Sequence, residues 1–311
     1  MLRPKGAQAH TIPASMLARL VPAPLGRRFA RPYVAGDSAE AALAVAARLM
    51  EADILATLDV LGEDVHTAAQ VEASTATYRD LIDALAARFP DVASRPSVSL
   101  KPSAFTPGPA AEATGPVRAL AAQAKERGVA VTIDMEDHRW TDFTLDLAVG
   151  LFEAGHDVGA VLQTRLHRTE ADLARIPAGM RLRLVIGIYP EDESIALTRK
   201  RPMKERMLDY AARLLDRGVR VEFASHDEEF CRRFAREVAP AAADRCEVQL
   251  LLGVPRERLT RELREAGLPV RLYVPFANGW DSATAYLRRR MAESPSTAWL
   301  VLRNLFDRGG R

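Results

Sequence analysis

The chain has 311 residues, 48% of them hydrophobic and 27% charged, with a net charge of +2 at pH 7. That profile excludes intrinsic disorder, and no apolar stretch approaches the ~20 residues of a membrane span. The balanced charge gives no basic face for nucleic acid, and two cysteines, Cys231 and Cys246, form neither a disulfide framework nor a zinc-type CxxC pair.

The reading is therefore a cytoplasmic protein with reduced thiols and no metal. Met1–Pro24 lacks a compact apolar core, so no signal peptide is expected. Residues 1–36 are rich in Pro, Ala and Arg and read as an irregular or helical lead-in to one domain over 37–311. Asp37 and Ser38 can cap an Ala- and Leu-rich helix reaching about Glu51. The apolar run Ile54–Leu58 ends at Asp59, and a helical pattern follows over 67–89. The alternation then repeats. Ser97–Leu100 ends at Lys101, Val129–Ile133 at Asp134, and Val158–Leu162 at Gln163. Leu182–Ile188 ends at Tyr189, Val219–Ala224 at Ser225-His226-Asp227, Glu247–Leu252 at Gly253, and Val270–Leu272 at Tyr273. Helical segments lie near 116–127, 141–154, 169–175, 203–217, 227–237, 256–266 and 281–292.

Short apolar runs bounded by turn residues suit strands buried on both faces of a parallel sheet. Eight such βα units in roughly 250 residues predict an α/β fold, a single distorted (β/α)8 TIM-like barrel. A doubly wound open sheet is the alternative, but it calls for a Gly-rich phosphate turn, and neither GxGxxG nor a P-loop occurs. Pro102–Gly115 reads as a long polar loop, a candidate lid on the functional face. The basic run Arg199–Arg206 reads as a solvated loop.

A barrel of this kind builds its site from the C-terminal strand ends. Those ends carry Asp59, Lys101, Asp134, Gln163, Tyr189, His226, Asp227 and Tyr273, with Arg183 and Gln249 inside strands. Arg181 and Arg183 alternate along one strand, so at least one points at the interior. It needs an acceptor, because its charge cannot be neutralised: Asp134, Glu136 or a ligand. Near the C-terminus, Tyr286, Arg289, Arg290 and Glu293 fall at helical spacing after the eighth strand, where such barrels often bind anions.

These pieces resemble the flavin-dependent proline dehydrogenases, in the order the family has them. The matching segments include Leu58-Asp59-Val60-Leu61-Gly62-Glu63, Ser99-Leu100-Lys101, Asp134-Met135-Glu136-Asp137 and Val161-Leu162-Gln163. They continue with Leu182–Val185, Gly187 and Tyr189; Phe223–Asp227; Gln249 and Gly253; Tyr273-Val274-Pro275; and Tyr286-Leu287-x-Arg289-Arg290-x-x-Glu293. The resemblance spans about residues 29–306 and is to the short monofunctional bacterial branch.

It implies a barrel holding FAD noncovalently, a cyclic amino acid substrate and a quinone electron acceptor, with at most peripheral contact at the inner membrane. Gln163, Arg183, Gly187, Tyr189, His226 and Gln249 would serve the cofactor, with Arg183 near the flavin N5. Arg289 and Arg290 would grip the substrate carboxylate, with Tyr286, Glu293 and Ile188 around it. Lys101, Asp134, Arg183 and Tyr273 would carry the catalytic surroundings.

The sequence departs from the family after the fifth strand. The family's Lys-Gly-Ala-Tyr is here Ile186-Gly187-Ile188-Tyr189, followed by Pro190 and Glu191. A lysine is lost, and bulk is added at Ile188. Two other readings therefore stand beside L-proline oxidation. One is a flavin-dependent dehydrogenase of a different cyclic amino or imino acid. The other is a flavin-free barrel, either a lyase using Lys101 as a Schiff-base amine or a degenerate binding protein.

Overall fold

The computed structural model describes residues 31–62 and 65–279. Its eight parallel strands close into a barrel in strict sequence order. The strands are β1 (Leu55–Leu61), β2 (Ser97–Leu100), β3 (Val131–Ile133), β4 (Val158–Gln163), β5 (Arg181–Val185), β6 (Arg220–Ala224), β7 (Cys246–Leu251) and β8 (Val270–Ala277). Between them run α1 (Ala39–Glu51, before β1), α2 (Ala68–Arg88), α3 (Thr114–Arg127), α4 (Thr141–Glu153), α5 (Thr169–Asp172), α6 (Lys200–Asp216), α7 (Glu228–Arg233) and α8 (Glu257–Glu265). Closure rests on β1 and β8, paired in register from Leu55↔Arg271 to Leu61↔Ala277.

Local chemistry starts the helices where expected. The Ser38 hydroxyl accepts from Ala41 N at 3.3 Å at the start of α1. Thr67 and Gln70 form a reciprocal capping box on α2. The Asp227 carboxylate accepts from Phe230 N at 3.2 Å on α7. Outward strand residues such as Leu58, Val98, Leu182, Leu184 and Val248 are fully buried against these helices, which is why each strand reads as apolar.

Five expectations are corrected. β1 continues through Asp59 to Leu61, and β8 through Tyr273 to Ala277. β5 stops at Val185, so Gly187, Ile188 and Tyr189 lie on the loop after it. Pro102–Gly115 is a packed corner rather than a polar lid. It holds two short 3₁₀ turns, with Pro102, Ala104, Phe105 and Ala113 buried. The basic run after Arg199 opens α6. The helix read near 281–292 lies outside the described residues.

The inner face of the barrel is the unusual part. Barrels of this class are filled mainly by Val, Ile and Leu. Here the inward positions carry Thr57, Asp59, Ser97, Ser99, Thr132, Arg181, Arg183, Glu222, Gln249 and Tyr273. All of these except Arg181 and Tyr273 are under 9% exposed. At the base, Arg181 Nη1 lies 3.1 Å from Glu222 Oε1, and Arg271 Nε lies 2.6 Å from Glu247 Oε1. Gly159 on β4 leaves room for this layer, since a methyl group there would meet the Arg181 carbonyl at 2.9 Å and its Cβ at 3.1 Å. The Thr57 and Ser97 hydroxyls, 2.7 Å apart, satisfy each other across the β1–β2 pair.

Candidate active site at the barrel mouth

Arg183 is the centre of the upper layer. It is 4% exposed and points inward from β5. Its Nη1 donates to Asp134 Oδ1 at 2.6 Å, and its Nε donates to Gln249 Oε1 at 2.6 Å. Both Arg181 and Arg183 therefore enter the interior, and Asp134 rather than Glu136 is the acceptor for Arg183. Gln249 is fixed in turn, its Nε2 donating to Glu222 Oε2 and Glu247 Oε1, each at 2.7 Å. The guanidinium also lies 5.2 Å from the centre of the Tyr273 ring. One nitrogen is left over: Arg183 Nη2 is buried with no hydrogen-bond partner among the described residues.

A second cation sits beside the first. Lys101 Nζ lies 2.8 Å from Asp59 Oδ1 and 3.5 Å from Asp134 Oδ2, and it donates to the Tyr273 hydroxyl at 3.2 Å. The Tyr273 hydroxyl donates to Asp134 Oδ2 at 2.6 Å, and the Ser99 hydroxyl donates to Asp134 Oδ1 at 2.8 Å. Burial alone would raise the Asp134 carboxyl. Arg183 and Lys101, with the two hydroxyls, hold it below the usual carboxylate range. Glu222 is likewise lowered against burial, by Arg181, Arg183 and Arg271. Burial, then the charges of Asp134 and Asp59, push the Tyr273 phenol well above 10. The mouth thus holds an ionised Asp134, a neutral phenol and two paired cations.

The remaining predicted residues ring this layer. The Gln163 amide Nε2 donates to the Glu136 carbonyl at 2.8 Å. The Glu136 carboxylate accepts from Ser103 N at 2.9 Å and so ties β3's exit to the 3₁₀ turn after β2. Gly187, at φ +93°, follows β5 beside Gln163 and Arg165. Ile188 is 43% exposed, among the few large apolar side chains open to solvent in the described residues. The Tyr189 carbonyl accepts from Arg165 Nη1.

His226 follows β6. Burial, then Arg256, lower its imidazole to about 4, and its Nδ1 has no partner among the described residues. Asp227 pairs with Lys204 and caps α7, a structural task. Tyr286, Arg289, Arg290 and Glu293 lie outside the described residues.

Sequence reading passed over Glu222, Glu247, Arg271 and the pairing of Asp59. The signal was present: charged or polar residues recur at every second position in Arg181-Leu-Arg183, Glu247-Val-Gln249 and Arg271-Leu-Tyr273. A period of two with a polar inner face is what a polar barrel interior requires.

The proline dehydrogenase family profile matches residues 42–299. Proline dehydrogenase from Deinococcus radiodurans is 32% identical over 288 residues, covering 89% of this chain and 89% of its own. Proline dehydrogenase 1 from Bacillus subtilis subsp. natto is 31% identical over 283 residues, covering 90% and 91%. Among solved structures, proline utilization A (PutA) from Bdellovibrio bacteriovorus, inactivated by N-propargylglycine, superposes with a TM-score of 0.77 at 22% identity. That match covers 88% of this chain but 33% of the larger protein, and it bears on the fold. PutA from Bradyrhizobium japonicum superposes with a TM-score of 0.71 at 21% identity, covering 86% of this chain and 31% of that one. With the family profile running across the barrel and relatives of matching length above 30% identity, this chain belongs to the proline dehydrogenase family of oxidoreductases.

Proposed function

We propose that the chain oxidises L-proline to Δ1-pyrroline-5-carboxylate using bound FAD, and that the electrons pass to a quinone. The observation that carries this reading is Arg183. It is a buried cation clamped by Asp134 and Gln249, with Nη2 left without an acceptor among the described residues. An orphaned buried donor calls for a ligand. Arg165 Nε and His226 Nδ1, near the neighbouring strand exits, are orphaned as well. These groups fit a flavin, which accepts hydrogen bonds along its ring and gains negative charge on reduction. When bound, FAD supplies the hydride acceptor.

The protein's own residues then orient and polarise. Arg183 would hold positive charge beside the ring that is reduced. Asp134, Lys101, Asp59 and Tyr273 form a closed set of charge-assisted hydrogen bonds, so the mouth is preorganised before substrate arrives. Among the described residues, Asp134, Tyr273 and His226 are not poised as general bases. Asp134 is held ionised and fully hydrogen-bonded, the Tyr273 phenol stays protonated, and His226 is too weakly basic. In this reading the substrate amine reacts in its neutral form, because an ammonium cannot push a hydride off the adjacent carbon.

Arg289 and Arg290 would fix the carboxylate bidentately, with Tyr286 and Glu293 beside them. Ile188, on the loop after β5, would press on the substrate ring. A Schiff-base lyase is disfavoured. Lys101 is salt-bridged to Asp59 with Asp134 alongside, whereas a Schiff-base lysine needs desolvation or a neighbouring cation. No helix among the described residues is long and apolar enough to cross a membrane.

The test is a flavin spectrum on the purified protein and its Arg289→Met variant. The reading expects both to hold FAD and the variant to lose L-proline affinity far more than FAD affinity. Equal loss of both would contradict the carboxylate clamp, and a colourless protein unable to take up FAD would overturn the reading.

A further inference from the structure

The loops after β4 and β5 are zipped together, and the zipper fixes Arg165, whose orphaned Nε the flavin reading above left without a stated task. Arg165 N donates to the Ile186 carbonyl at 3.2 Å, and Leu197 N donates to the Arg165 carbonyl at 2.7 Å. Leu166 bridges to Ala196 beside them. The Arg165 side chain then passes over Gly187. A methyl group on Gly187 would lie 2.7 Å from Arg165 Cδ and 2.7 Å from Gln163 Oε1. With φ at +93°, this position demands glycine both by conformation and by space.

Past Gly187, Arg165 Nη1 donates to the Tyr189 carbonyl, while Nε is buried without an acceptor among the described residues. No carboxylate forms a salt bridge with this cation among the described residues. Glu191 is the acid whose charge reaches it, but Glu191 is engaged by His138, through Nδ1 at 2.6 Å and the backbone N–H at 2.9 Å. Burial holds the Arg165 guanidinium below the ordinary arginine range, the mark of a cation short of counter-charge.

Gln163 supplies the complementary half. Its Nε2 is committed to the Glu136 carbonyl, and its Oε1 faces the space above Gly187. Donor and acceptor therefore flank one glycine.

We propose that Arg165 Nε–H and Gln163 Oε1 form a donor–acceptor pair that reads an imide edge, the C=O beside N–H carried by the pyrimidine ring of a flavin. This rests on the flavin reading above. The amide oxygen accepts from the ring N–H, and the guanidinium donates to the neighbouring carbonyl. The cation also favours added electron density on that ring, the direction in which reduction moves it. Ile186 brings no charge to this exit, whereas Arg165 does.

The test uses the full chain stripped of flavin, with Arg165→Gln and Arg165→Lys, titrated with riboflavin, FMN and FAD by flavin fluorescence quenching. Riboflavin has the imide edge and no phosphate. Arg165→Gln should raise Kd for all three by the same factor, about ten- to hundredfold, the value of a charge-assisted hydrogen bond. The reduction potential of its bound flavin should become more negative. Arg165→Lys keeps the charge but not the donor geometry, and should restore the potential more than the affinity.

A loss confined to FMN and FAD would assign Arg165 to phosphate and overturn the proposal. So would unchanged affinities in a variant that melts like the wild type. If Arg165→Gln does not fold, the lysine variant decides alone: equal weakening for the three flavins supports the pair, and wild-type affinity refutes it. Wild-type protein that binds none of the three would overturn the flavin reading as well.

Discussion

Asp134→Asn is the most revealing single change. The carboxylate accepts from Arg183 Nη1, Ser99 Oγ and the Tyr273 hydroxyl, and it lies 3.5 Å from Lys101 Nζ. Asparagine keeps the shape and one acceptor oxygen. It places an NH₂ against a donor and leaves the interior with one cation in excess. Removing one partner of a buried pair costs about 3–5 kcal/mol, and the surviving acceptor puts this variant near the lower end.

The pH dependence carries the sign. The folded-state carboxyl is depressed below its ordinary value. Its contribution is therefore fully present above the unfolded pKa of about 3.9 and is lost as pH falls through the folded value. Urea unfolding of wild type and variant should show a difference of about 3 kcal/mol at neutral pH, narrowing only in strong acid. A variant as stable as wild type, or a gap that narrows already near neutrality, would refute the charge-pair account. Tyr273→Phe in a double-mutant cycle with Asp134→Asn should give strong coupling, since the two groups share one hydrogen bond at 2.6 Å.

Other outcomes follow from the same geometry. Arg183→Ala should slow flavin reduction more than it weakens substrate binding, and an unchanged reduction rate in stopped flow would sink its assigned role. The His226 ring should titrate near pH 4 rather than near 6.5 by NMR. Its neutral form stabilises the fold above the unfolded value, and that contribution fades as pH drops from there toward 4. Cys231 and Cys246, with thiols pushed up by burial to about 12 and about 11, should resist a thiol reagent in the native protein and react on unfolding. Ile188→Ala should raise kcat/KM for ring-substituted prolines relative to L-proline, and an unaltered ratio would remove Ile188 from the substrate pocket.

The barrel was legible because its outward strand positions are apolar and its turns polar, so eight runs stand out. The ends of β1 and β8 were not. Asp59 and Tyr273 look like loop starts to a reader seeking apolar runs, yet both are inner-face residues bonded to Lys101 or Asp134. Glu222, Glu247 and Arg271 were hidden for the same reason, because a charge inside a strand normally argues against burial. Only the closed barrel brings β5 to β8 round so that each charge meets its opposite. Lys101, Asp134, Arg183 and Gln249 are joined by side-chain contacts in one layer, while Gln163 is bonded to the Glu136 carbonyl beside it. What the sequence left open was which acceptor Arg183 takes, and the 2.6 Å contact with Asp134 answers it. Arg165 carried no motif, and its meaning comes from Gly187, far from it in the chain.

The most direct test of the account is an anaerobic titration of the flavin-loaded protein with L-proline, followed by absorbance. The account predicts saturable bleaching of the flavin band, with a cyclic imine as product. A flavin that is present but stays oxidised at every L-proline concentration would contradict it.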